Sequence, residues 1–111
     1  MSESQIENPY SGPIECTEGE FAGWQYWDHD PFETRAGPFF MRREDDGSYL
    51  SAFRAEDRHM NGAGFMHGGC LMTFADFALF AIASNELDGT PAVTMNLSSD
   101  FLGSAYPGAL M

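Results

Sequence analysis

The run from Cys70 to Ala83 is apolar except for Thr73 and Asp76, and nothing else in the chain constrains its fold as strongly. It reads as the body of a helix of about 17 residues that starts near Gly68 and leaves through the polar stretch Asn85 to Thr90. Its apolar residues lie nearly all round the helix rather than on one stripe, so such a helix must be wrapped by other structure. The run is too short to cross a bilayer, and it carries an acid.

The flanking sequence offers strands for that wrapping. Phe39 to Glu44 and Tyr49 to Glu56 have strand composition, and Asp45-Asp46-Gly47-Ser48 between them is a hairpin signal. Two antiparallel strands therefore precede a loop from Asp57 to Met66. After the helix, Val93, Met95 and Leu97 alternate with Thr94, Asn96 and Ser98, which predicts a strand over 91–105 before a turn at Pro107-Gly108. One long strand there leaves a side of the sheet unfinished, with backbone groups open to pairing. Residues 1–20 are polar and without periodicity, and read as a mobile tail. Phe21, Trp24, Tyr26, Trp27 and Phe32 bring aromatic area that needs cover, as from a short helix or lid docked on the domain. The expected fold class is α+β, an antiparallel sheet wrapped around one long central apolar helix. Residues 1–36 form an N-terminal extension and 37–111 the domain itself.

A chain of 111 residues holds one domain, which buries roughly two-thirds of the surface its unfolded form exposes. Its net charge is −12, from seventeen acids against five basic residues, all of them arginine. So acidic a surface argues against nucleic acid or an anionic membrane as partner. A phosphate-bearing ligand would need the few arginines gathered locally. Cys16 and Cys70 have no paired spacing, and Met1 to Ser11 lacks the basic and apolar regions of a secretory leader, so a reduced, cytoplasmic setting is expected.

The loop His59-Met-Asn61-Gly-Ala-Gly64-Phe-Met-His67-Gly68-Gly69 opens the apolar helix. Gly68 and Gly69 leave backbone N–H groups at the helix start, which suit an oxyanion and contribute about 10²–10³ in rate per donor. The same pair also serves a plain chain turn. Asn61 and His67 add donors and acceptors to this loop, or else satisfy local backbone. Asp76 is more informative, because an ionised carboxylate in an apolar helix is costly unless it is paired or protonated. It is either satisfied by an arginine or by Thr73, or present for its chemistry.

Helical rise separates these parts. Asp76 lies eight residues beyond Gly68, hence about 12 Å along one axis. An acyl carbon held at Gly68 needs its attacking group within about 3–3.5 Å. If both act together, the simplest arrangement is two antiparallel helices across a twofold axis, Asp76 of one facing His67 and Gly68 of the other. Such a homodimer is isologous and carries two equivalent sites.

In order and spacing, His59, Asn61, Gly64, His67, Gly68, Gly69 and Asp76 resemble the signature of the hotdog-fold acyl-CoA thioesterases, in particular the phenylacetate-degradation (PaaI) type. The likeness runs from Phe39 to Met111 and leaves residues 1–36 outside it. It implies hydrolysis of an acyl-CoA thioester at a dimer interface, with no cofactor. The Gly68 N–H would hold the thioester oxygen, while Asn61 and His67 shape the loop and orient substrate or water. Asp76 of the partner would be nucleophile or general base, and Thr94 falls where the family often has a hydroxyl near the acid. Family members continue with further strands that complete the sheet and contribute to the coenzyme A surface. By that pattern the C-terminal strands are missing, and the expectation is a fragment of a longer protein rather than replacement of those strands by the N-terminal extension or by a partner chain.

Other residues invite weaker readings. Asp28-His29-Asp30 are adjacent in the chain and point different ways, so they suit a solvated turn and no metal is expected. Arg42, Arg43, Arg54 and Arg58 either meet coenzyme A phosphates or pair with acids such as Glu44 and Glu56. Phe74, Phe77 and Phe80 suit core packing, with one ring available to an acyl pocket. A non-catalytic acyl-CoA binding module of the same fold is the alternative function; a dehydratase ranks last. The acyl group and the choice between homodimer and homotetramer are not set by these motifs.

Overall fold

A computed structural model describes residues 12–87 and 92–111. The expectations for residues 1–11 and for 88–91 fall outside the described residues. Four short strands form one antiparallel sheet in chain order: β1 (Ile14–Glu15), β2 (Gln25–Tyr26), β3 (Phe40–Arg43) and β4 (Tyr49–Ala52). A short helix, α1 (Pro31–Ala36), falls between β2 and β3, and a 3-10 turn, Asp57–His59, follows β4. The long helix is α2 (Gly68–Leu87). This is the expected α+β plan, with the hairpin and the helix start where the sequence puts them.

Turn chemistry fixes the β3–β4 hairpin. Gly47 adopts φ 87°, a left-handed conformation that favours glycine. The Asp46 carboxylate accepts from the Ser48 N–H at 2.9 Å and from the Ser48 hydroxyl at 2.6 Å, which holds it below the usual carboxylate range. Phe40 then pairs with Ala52 and Arg43 with Tyr49. The second strand, expected to continue to Glu56, instead changes partner after Ala52. Phe53 exchanges backbone hydrogen bonds with Met111, and Ala55 bonds Gly108 and Ala109, so 53–55 pair with the end of the chain.

Strand alternation sends neighbouring side chains to opposite faces. Phe39 and Met41 join Phe53, Ala55, Met66, Phe77 and Ala81 in the core under α2. There the rings of Phe39, Phe53 and Phe74 meet at centroid distances of 4.8–5.4 Å. Phe40 points the other way and stacks on Phe21 at 4.3 Å, forming a smaller cluster with Ala52. The described part of the N-terminal extension is thus built into the sheet. β2 pairs with β3, Trp24 lies under the Arg42 guanidinium at 4.6 Å, and Arg54 holds Glu20 at 2.5 Å.

The sheet packs on the Phe74, Phe77 and Ala81 side of the helix, while Leu79 and Ile82 stay 49% and 61% exposed. One expectation fails. The strand expected over 91–105 forms no ladder in its described part. The segment runs across α2 instead of along a strand edge, and alternation in sequence cannot supply a pairing partner. Met95 and Leu102 are each 96% exposed as a result. Among the described residues no helix is long and apolar enough to cross a membrane.

Candidate active site

The start of α2 is wired by His67. Its N–H donates to the His59 carbonyl at 2.8 Å, and its own carbonyl accepts from Cys70 and Leu71. Its Nδ1 accepts from the Gly69 N–H at 2.9 Å, so the ring caps the helix with a side-chain acceptor where Ser or Asp is usual. This corrects the expectation of two free glycine donors. The Gly69 N–H is taken, whereas the Gly68 N–H meets no acceptor among the described residues. At both positions a side chain would press on a neighbouring ring. A Cβ at 69 would lie 3.0 Å from the His67 ring, and one at 68 would lie 3.2 Å from the Phe101 ring.

Asn61 shapes the loop ahead of this turn. Its side-chain oxygen accepts from the Ala63 and Phe65 N–H groups at 2.9 and 3.1 Å, and Met60 bridges to Met66 across the loop. Of its two possible uses the local one is realised at the oxygen. His59 is a structural histidine: it is 4% exposed, its Nδ1 accepts from the Glu56 N–H, and its Nε2 donates to the Ala36 carbonyl at 2.7 Å.

Asp76 is half-buried midway along α2, and the Thr94 hydroxyl donates to its Oδ1. Neither satisfier expected from sequence serves it. Thr73 bonds the Gly69 carbonyl of its own helix, and no arginine pairs with Asp76 among the described residues. The segment after α2 therefore meets the helix at both points of interest, Thr94 at Asp76 and Phe101 at Gly68. Since α2 is continuous, the two stay about 12 Å apart within one chain.

Sequence reasoning missed Glu33. It lies in α1, half-buried against α2, and its carboxyl is pushed up to about 7, first by burial and then by the charges of Asp30 and Asp76. The signal for α1 was present: Asp30 caps it through the Glu33 N–H at 3.0 Å and Pro31 opens it. Its docking on α2 has no signature in the local sequence.

A cleft of about 380 Å³ opens between α1 and the start of α2, lined by Phe32, Arg35, Arg58, His67, Cys70 and Thr73 among others. Burial pushes the Cys70 thiol up, away from the thiolate. Three of the four arginines considered for phosphates are engaged. Arg42 pairs with Glu44 and Arg54 with Glu20, while Arg58 bonds Glu56 and the carbonyls of Arg35, Ala36 and Gly37. Among the described residues no three His, Cys, Asp or Glu side chains are placed to hold a metal ion.

Comparison with known proteins covers this same region. Residues 63–111, which include Gly68, Asp76 and Thr94, match the family described as Thioesterase superfamily. Over 73 residues, 65% of the chain, it is 40% identical to a protein of Pseudomonas aeruginosa described as "Putative esterase PA0474". That match spans 54% of the relative, so the chain covers about half the length of the curated protein it resembles. Asn61 lies just outside the family match. From the glycine pair to the C-terminal segment, then, the chain carries a Thioesterase superfamily match on an α+β plan of antiparallel sheet and long helix.

Proposed function

We propose that the protein hydrolyses an acyl-CoA thioester of the kind taken by the phenylacetate-degradation enzymes, at a site shared between two copies of the chain. The observation that carries this reading is the hydrogen-bonded Asp76–Thr94 pair on the helix that begins at the unengaged Gly68 N–H. The esterase name of the relative and the family match favour hydrolysis. The acyl carbonyl oxygen rests on the Gly68 N–H of one copy, and Asp76 of the other takes a proton from water as the hydroxyl oxygen bonds to carbon. The carbon–sulfur bond then breaks, the thiolate recovers the proton, and a free acid and coenzyme A leave. Asp76 attacking carbon directly is the equivalent covalent route.

The exposed apolar residues of α2 and of the segment after it, Leu79, Ile82, Val93, Met95 and Leu102, leave apolar area that a second copy would cover. Acidity of the whole, with net charge −12, keeps nucleic acid and anionic membranes out of the proposal. The reading predicts that Asp76→Asn lowers kcat by about 10²–10⁴, the usual contribution of a general base, on acetyl-, hexanoyl- and phenylacetyl-coenzyme A. Calorimetric affinity for the same compounds should change little. Full turnover in that variant contradicts the proposal.

A further inference from the structure

The cleft between α1 and the start of α2 has a charge balance opposite to that of the chain. The sequence holds seventeen acids against five arginines, yet the described lining of the cleft contains Arg35 and Arg58 and no carboxylate. An acidic chain can receive an anion only where its arginines gather, and two of the five meet here. Its volume of about 380 Å³ falls in the range of small-molecule sites, roughly 300–1,000 Å³.

Most polar groups of the lining are already engaged in the fold. Arg58 grips Glu56 and the carbonyls of Arg35, Ala36 and Gly37, which fixes the end of α1 against the 3-10 turn. Both ring nitrogens of His59 are bonded to backbone, and the Thr73 hydroxyl donates to the Gly69 carbonyl. Two donors are left. The Arg35 side chain is exposed and meets no hydrogen-bond or ion-pair partner among the described residues. His67 accepts at Nδ1, so its neutral ring carries the proton on Nε2.

Phe32, 68% exposed, lines the same cleft three residues before Arg35, and side chains at that spacing are neighbours on a helix. A free guanidinium beside an open aromatic ring suits a phosphate joined to a flat base. The guanidinium takes phosphate oxygens through paired N–H groups, and the ring offers a stacking face. An uncharged acyl group would use the ring and leave Arg35 without a partner. On the opposite wall the lining includes His67 and Gly69, which flank the Gly68 donor. Phe32 and Arg35 precede residues 63–111, so the family match does not supply them.

We propose that this cleft seats the nucleotide end of the coenzyme A thioester, with Arg35 donating to a phosphate and the Phe32 ring stacked on the base. The inference rests on the acyl-CoA reading above and gives the N-terminal extension a part in binding. The thioester lies at the Gly68 end, and the pantetheine arm leads from it to α1. Both side chains touch the substrate away from the breaking bond. Removing either therefore weakens ground state and transition state alike, which raises KM and leaves kcat unchanged.

The test compares phenylacetyl-coenzyme A with phenylacetyl-pantetheine, which lacks the nucleotide, in wild type, Arg35→Gln, Phe32→Ala and Arg43→Gln. Arg35→Gln and Phe32→Ala should each raise KM for the coenzyme A thioester about threefold to tenfold, as expected for an exposed charged contact or one stacked base. KM for the pantetheine thioester should not move. Arg43→Gln, an arginine of β3 outside the cleft, removes the same charge and should change neither. Calorimetry with free coenzyme A should show the same losses without turnover. Equal effects of Arg35→Gln on both thioesters, or of Arg43→Gln and Arg35→Gln on the first, overturn the proposal. So does an unchanged Arg35→Gln, and the acyl-CoA reading then stands. Coenzyme A binding that depends on Arg35, in a wild type that hydrolyses none of its thioesters, supports the cleft and overturns the catalytic reading instead.

Discussion

Of the two uses that the sequence allows His67, the structure realises the local one. Its Nδ1 takes the Gly69 N–H at 2.9 Å and its backbone closes the first turn of α2, which leaves Gly68 as the donor still open. Loop residue and helix cap are one and the same side chain. His67→Ala should therefore cost about 1 kcal/mol of stability, the usual loss on removing an N-cap, seen as a lowered thermal midpoint. His67→Asn, which restores a capping oxygen, should recover most of it. Equal midpoints for wild type and His67→Ala would show that the cap does not stabilise the helix. Gly68, Asp76 and Asn61 were visible in the sequence because their residue types are unusual where they stand. Glu33 was not, since an acid in the first turn of a short helix is ordinary until its docking is known.

Among the elements, the best read were those specified by their own residues. Asp45 to Ser48 contain the turn, and the apolar run defines α2, so both fall where expected. The segment after α2 has the alternation of a strand but no ladder, because pairing depends on a neighbour that alternation does not provide. The same physics explains the uncovered stripe of α2. A helix apolar nearly all round needs cover on every side, and the sheet reaches only the Phe77 and Ala81 side, leaving Leu79 and Ile82 open. If that stripe is the seat of a second copy, Ile82→Glu should halve the sedimenting mass. Stability of the single chain should move by no more than about 0.5 kcal/mol, as is usual for an exposed position. An unchanged mass would remove the stripe from the interface.

For the whole molecule, the parts of the proposed site are complete in one chain but not together. α2 carries the Gly68 donor at its start and the Asp76–Thr94 pair some 12 Å farther along, and a continuous helix cannot fold back to close that gap. The central claim is that two copies close it by crossing. Mixed refolding tests it directly, with Asp76→Asn and Gly68→Val each first shown to unfold cooperatively and each inactive alone. In a random mixture half the dimers pair the two variants, and each such dimer has one site with Asp76 and Gly68 both intact. The account predicts recovery of roughly a quarter of wild-type acyl-CoA hydrolysis. A mixture no more active than its two parents would contradict it.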